Sequence, residues 1–186
     1  MNKKECDGER ALGKYSHQKT LDFPLIKKYD GQAKTLKSGK KLRLVLPIKD
    51  ALLEEGGSKK NKCFKEQLCL KLDEYHRFLG RAQSDAGVDI VFCLENGKAL
   101  LTEAKIDVAG CNFTPKLKKD LDEKIKDSVE ILGKSQTERS ILVVLVAPSC
   151  KSQALQRFAM YNKGNFSPKY RIITEQEFYN EFFREE

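Results

Sequence analysis

Residues 141–147 read ILVVLVA, apolar at every position. Side chains along a strand alternate between its two faces, so an unbroken apolar run is a strand covered on both. It is far too short to span a bilayer. Such a strand needs helices above and below it, and its neighbours in sequence supply them. In TPKLKKDLDEKIKDSVEIL (114–132), Thr114 is placed as N-cap, Pro115 as first helical residue, and Leu117, Leu121, Ile125, Val129 and Leu132 form one stripe. After the run, SQALQRFAMY (152–161) reads as helix and YRIIT (170–174) as a short strand. The last helix opens at Thr174, which forms a capping box with Glu177.

Upstream, Phe64, Leu68, Leu72, Tyr75 and Leu79 recur at helical spacing and predict a helix over 62–79, with Asn61 to cap it and Gly80 to stop it. Two strands follow, 88–93 and 99–106. From residue 62 the order is α-β-β-α-β-α-β-α, which implies an α/β fold: a mixed β-sheet flanked by α-helices. KLRLVLPI (41–48) is strand-like, and Pro47 suits an edge or an end. EEGGSKKNK (54–62) reads as a loop and marks the expected boundary between a basic N-terminal extension, 1–60, and a body, 61–186.

Charge follows the same division. Residues 1–60 hold 15 Lys/Arg against 8 Asp/Glu, whereas 61–186 hold 20 against 19. A basic segment beside a near-neutral body suits a polyanion such as nucleic acid or an acidic protein surface, although lysine-rich loops also simply keep a chain soluble. The first thirty residues lack the apolar stretch of a secretory signal, and a cytoplasmic location with no membrane partner is expected. Six cysteines without a CxxC pair, and only two histidines, argue against zinc. The cysteines are expected to be reduced, with Cys69 and Cys93 in the core.

Between the first helix and the long one lies GVDIVFCLENGKALLTEAKID (87–107), in which two apolar strands carry Asp89, Glu103 and Lys105. Glu103 and Lys105 share a face because they are two residues apart. A two-residue turn at Asn96-Gly97 would pair 89 with 104 and turn Asp89 away. A three-residue loop, Glu95-Asn96-Gly97 with Gly97 left-handed, pairs 94 with 98 and therefore 89 with 103. The second turn is the expected one, since it gathers all three charges into one patch. Two adjacent carboxylates repel and are costly to bury. A lysine offsets part of this; a divalent cation with a preference for hard oxygen ligands, Mg²⁺ with Mn²⁺ as substitute, offsets more. Such a centre is suited to phosphodiester hydrolysis.

These residues resemble the PD-(D/E)xK nucleases, whose fold is called restriction-endonuclease-like. Asp89 stands at the first acid and Glu103-Ala104-Lys105 at the (D/E)xK triplet, with valine where the motif has proline. From the helix at 62–79 to the C-terminus, about two thirds of the chain, the element order is similar to the cleavage domain of Fok-type IIS restriction enzymes. The resemblance implies Asp89, Glu103 and Lys105 as catalytic residues, Asp89 and Glu103 as metal ligands, and Glu66 as an outer, helix-borne acid. It also implies Asp120 and Lys124 as contacts between cleavage domains, although an ordinary i,i+4 surface pair accounts equally well for them. Asp85 is an alternative first acid. His76 is either a partly exposed helix residue or a phosphate contact.

The activity implied is a Mg²⁺-dependent endonuclease acting on double-stranded DNA and leaving 5′-phosphate ends. One form is the small catalytic subunit of a heterodimeric type IIS restriction enzyme, directed by a larger DNA-recognising partner. Two alternatives stay open: a homodimeric restriction or repair nuclease or junction resolvase, and a non-catalytic nucleic-acid-binding module.

Overall fold

The structure, a computed structural model, describes residues 12–58, 63–64, 66–81, 87–108, 111–163 and 168–184. Two short helices, α1 (His17–Asp22) and α2 (Pro24–Tyr29), precede a two-stranded antiparallel ribbon of β1 (Lys34–Thr35) and β2 (Lys41–Leu42). Next come β3 (Val45–Pro47), α3 (Ile48–Glu54), β4 (Leu68–Leu70) and a single helical turn, α4 (Tyr75–Phe78). The hairpin of β5 (Ile90–Cys93) and β6 (Ala99–Lys105) leads to α5 (Pro115–Leu132) and β7 (Thr137–Val146). A short 3-10 turn, α6 (Lys151–Asn162), β8 (Lys169–Ile173) and α7 (Glu175–Phe182) complete the chain.

Strands β3 to β8 form one six-stranded sheet in chain order, antiparallel from β3 to β6 and parallel from β6 to β8. The apolar run behaves as its pattern requires. Leu142, Val144 and Val146 pack with α5 and α6 on one face, while Val143 and Leu145 pack with α3 and α7 on the other. All five side chains are excluded from solvent, and each such burial contributes about 1.5–3 kcal/mol relative to exposure. The second face is closed by aromatic rings, with Phe92 against Phe178, Phe182 and Phe183 at centroid separations of 5.2–5.9 Å. Thr174 and Glu177 form the expected capping box on α7.

Within the region read as one helix over 62–79, the described residues instead form β4 followed by α4. Leu68 and Leu72 fit a helical stripe, but with Leu70 they also alternate with period two. Pairing with β3 (Leu46↔Cys69) decides for the strand. Pro47 sits at the end of the edge strand, where its missing N–H does no harm. The Asn61 cap lies outside the described residues.

The described part of the segment expected as an extension, 12–58, is built into the same core. Phe23, Ile26 and Tyr29 pack with Leu70, Leu101 and Leu142, and β3 is a strand of the main sheet. Thr20 Oγ1 accepts from the Cys93 backbone N–H at 3.0 Å, tying α1 to β5. Cys69 and Cys93 are buried thiols, as expected. Cys111 and Cys150, expected to be reduced, form a disulfide across 39 residues. The chain returning from β6 and the start of α6 meet there, a contact that only the folded chain creates. Among the described residues, no helix is long and apolar enough to cross a membrane.

Candidate active site

The hairpin turn places the first charges. Gly97 adopts φ +77°, Leu94 donates to Lys98 and Gly97 to Leu94, so the loop is Glu95-Asn96-Gly97. The ladder runs Cys93↔Ala99 to Ile90↔Thr102. One further step sets Asp89 opposite Glu103. On β6, Glu103 and Lys105 have the parity of Ala99 and Leu101, the face that packs beneath α5.

Asp89 is 4% exposed and Glu103 0%. Asp89 Oδ2 accepts the Ala104 backbone N–H at 2.7 Å, which fixes the carboxylate across the ladder. Glu103 Oε1 accepts from Lys105 Nζ at 2.5 Å. A second lysine joins them: Lys124 Nζ, from α5, lies 3.0 Å from Asp89 Oδ1 and 2.7 Å from Glu103 Oε1. Burial and the nearby Asp89 charge raise the Glu103 carboxyl above the usual range, while Lys124 and Lys105 pull it down. For Lys124, burial works against its charge, but Glu103 and Asp89 outweigh it and hold the ammonium firmly protonated.

Lys124 was placed by the resemblance at a contact between domains. Its ammonium instead serves the two acids, while Asp120 is exposed on the outer side of α5. Phase explains the difference. Lys124 is three residues after Leu121 and four before Ser128, both buried, so it flanks the inward stripe. That spacing was visible in the sequence. Ser128 anchors the arrangement, accepting from Val88 N–H at 3.0 Å and donating to the Lys124 carbonyl at 2.6 Å.

More acids converge from the other side. Carboxylate oxygens of Glu55, Asp73 and Asp89 lie within 4.8 Å of one another. Glu55 is the C-cap of α3, and Asp73 follows β4. Glu66 does not occupy the outer acid position: it is exposed on a bend before β4, because the helix expected to carry it does not form. Glu55 is the acid that approaches Asp89. Lys71, with a side chain only 3% exposed, bonds Glu54 at 2.8 Å and Glu55 at 2.9 Å and lies 3.8 Å from Asp73. Burial pushes the Asp73 carboxyl up to about 8 against the pull of Lys71, with Asp89 and Glu55 adding to the rise. Lys71 and Asp73 sit within QLCLKLD (67–73), where charges inside an apolar alternation were the available signal.

Gly87 makes this convergence possible. A Cβ there would lie 2.5 Å from the Leu72 carbonyl oxygen and 3.0 Å from Asp73 N, so only glycine lets β5 enter beside Asp73. His76 is 92% buried on α4 and lines a separate cavity with Arg81, Asp127 and Glu130. Asp85 lies outside the described residues.

The donor set suits a hard divalent cation. The converging group Glu55, Asp73 and Asp89 offers only carboxylate oxygens. Glu103 stands outside that group and is joined to Asp89 through Lys124. Among the described residues, Asp73 Oδ1 and Glu103 Oε2 are buried without a hydrogen-bond partner. Unused acceptors at that depth are costly, and a cation would engage them. The arrangement can hold a phosphate group against a cation, with Lys105 at its half-open rim. Comparison with protein-family models, with curated proteins and with solved structures finds no match to this chain.

Proposed function

We propose that this chain is a metal-dependent endodeoxyribonuclease of restriction-endonuclease-like fold. The observation that carries the reading is the hairpin register, which sets Asp89 opposite Glu103 with Lys105 two residues on, on one buried face. Two acids this close, and this deep, are expensive for the fold alone, and such expense concentrates at functional sites.

Asp89 and Glu103 would hold Mg²⁺, and Glu55 and Asp73, which converge on Asp89, would offer further carboxylate oxygens on that side. The bound ion would supply charge neutralisation of the phosphodiester and acidification of water. Lys105, about a quarter exposed, reaches the rim where a phosphate would lie. Its ammonium would orient the attacking water and oppose the negative charge that builds on the phosphoryl oxygens. Asp89 is kept in place by the Ala104 N–H, so its carboxylate needs no rearrangement to bind.

On this reading the chain is a cleavage subunit of a type IIS restriction enzyme, directed by a larger DNA-recognising partner. The chain's formal net charge of +8, with the described part of its basic N-terminal segment packed into the same core, supports contact with a polyanion such as DNA. Plasmid cleavage in Mg²⁺ is the test, with and without protein fractions from the same source. Weak cleavage alone and efficient cleavage with a partner are expected, both lost in Lys105→Ala. Full site-specific cleavage by the isolated chain would instead favour a homodimeric nuclease.

One observation favours a second reading. Lys71, Lys105 and Lys124 already pair with the acids, as in a structural ion network. A non-catalytic nucleic-acid-binding module of this kind would show no Mg²⁺-dependent cleavage for Lys105→Ala to remove.

A further inference from the structure

We infer that the Lys124 ammonium is a built-in stand-in for the divalent cation, seated between Asp89 and Glu103 when the cation is absent and expelled when it binds. The inference rests on the reading of those two acids as cation ligands.

Three observations support it. First, Lys124 Nζ contacts one oxygen of each acid, at 3.0 and 2.7 Å, bridging the pair as a metal would. Mg²⁺ takes oxygen ligands at about 2.0–2.1 Å. An ion bound to both of those oxygens would therefore fall almost on the ammonium, and the two cannot coexist. Second, Glu103 is wholly excluded from solvent, yet Oε1 receives both lysines while Oε2 has no partner among the described residues. An ammonium on one oxygen leaves that acceptor unused, whereas a cation can take it. Third, Asp89 also belongs to the convergence of Glu55, Asp73 and Asp89, whose carboxylate oxygens lie within 4.8 Å of one another. A cation that displaced the ammonium would therefore find further oxygen ligands beside it.

The fold permits the exchange. Ser128 ties α5 to the entry of β5 through Val88, so the helix is held while the side chain moves. The lysine side chain is 21% exposed, giving the flexible four-carbon arm a route to solvent. Lys71, only 3% exposed and bound to acids on α3, lacks that route and remains in the cation-bound state. The consequence is a protein that folds without metal but binds metal more weakly than its ligands alone would allow, because each binding event must displace a tethered competitor.

Calorimetric titration of the full chain with Mn²⁺, without DNA, tests this on the wild type, Lys124→Met and Asp89→Asn. Lys124→Met is expected to bind Mn²⁺ about tenfold or more tightly than wild type, and Asp89→Asn not to bind. Unchanged or weaker binding by Lys124→Met, with Asp89→Asn still abolishing it, overturns the stand-in and leaves the metal reading intact. No binding by wild type and Lys124→Met alike overturns both. Should Lys124→Met fail to fold, reductive methylation of the wild type decides. Lys124 is expected to be protected without Mn²⁺ and modified at saturating Mn²⁺; unchanged protection refutes its displacement.

Discussion

Replacing Gly87 by alanine separates the cost of a crowded backbone from the cost of a special dihedral. A Cβ at Gly87 would stand 2.5 Å from Leu72 O, 2.6 Å from Leu72 C and 3.0 Å from Asp73 N. Those are backbone atoms held in place: Leu72 O accepts from Tyr75 N–H at 3.1 Å, and Asp73 N–H donates to Val88 O at 3.1 Å. Relieving the overlap means moving one segment by roughly 0.5–1 Å, which forfeits a hydrogen bond worth about 1 kcal/mol and adds overpacking of about 1–3 kcal/mol. Gly87→Ala is therefore expected to cost about 2–4 kcal/mol and to pull Asp73 away from Asp89, weakening Mn²⁺ binding. Gly97→Ala is the control. A Cβ there would meet nothing within 4 Å among the described residues, but Gly97 sits at φ +77°, so the change should cost only about 1 kcal/mol and leave Mn²⁺ binding unchanged. Urea denaturation and Mn²⁺ titration of both variants measure this. Equal stability losses, or intact Mn²⁺ affinity in Gly87→Ala, would refute the argument that this close approach builds the site.

Other perturbations have signs that follow from the same contacts. Lys71→Met leaves Glu54, Glu55 and Asp73 without their shared cation, and denaturant titration should show a loss of about 3 kcal/mol, partly restored by Mn²⁺. Reducing the Cys111–Cys150 disulfide, which closes 39 residues, should lower stability by about 4 kcal/mol on the loop-entropy account, read as a shift in urea midpoint between oxidised and reduced protein. For Glu177, slight burial tends to raise the carboxyl, but Lys151 and Thr174 hold it below the usual range. Its contribution is present above the ordinary glutamate pKa and lost as pH falls through the lowered folded value. The stability gap between wild type and Glu177→Gln should therefore shrink on acidification below about pH 4.5, and a gap that widens there contradicts the capping role.

Where a pattern had one physical interpretation, the sequence carried the fold. ILVVLVA admits only a strand covered twice, and the hairpin register followed from Gly97 accepting a left-handed turn that aligns Asp89 with Glu103. Misreadings arose where one pattern satisfied two periods or where a contact was long-range. Leu68 and Leu72 belong to both a helical and an alternating series, and the pairing with β3 that settles the matter is not local. Once the helix over 62–79 was lost, Glu66 lost its supposed place, and the neighbouring acid came from the end of α3. Lys124 was legible in spacing but not in role. Its place beside Leu121 and Ser128 marks it as inward, whereas its two acid partners come from other elements 35 and 21 residues away. The disulfide had no local signal at all.

The most direct test of the central claim, that the buried acid pair exists for cation-assisted hydrolysis, is the rate of Mg²⁺-dependent plasmid cleavage by Glu103→Gln relative to wild type, in the presence of whatever partner fraction activates it. The amide keeps the shape and a carbonyl acceptor for Lys105 and Lys124 while removing the charge that a cation requires. Cleavage is predicted to fall by about 100-fold or more with the fold retained, as judged by thermal melting. A variant that cuts as fast as wild type, or a wild type that never cuts in Mg²⁺, contradicts the account.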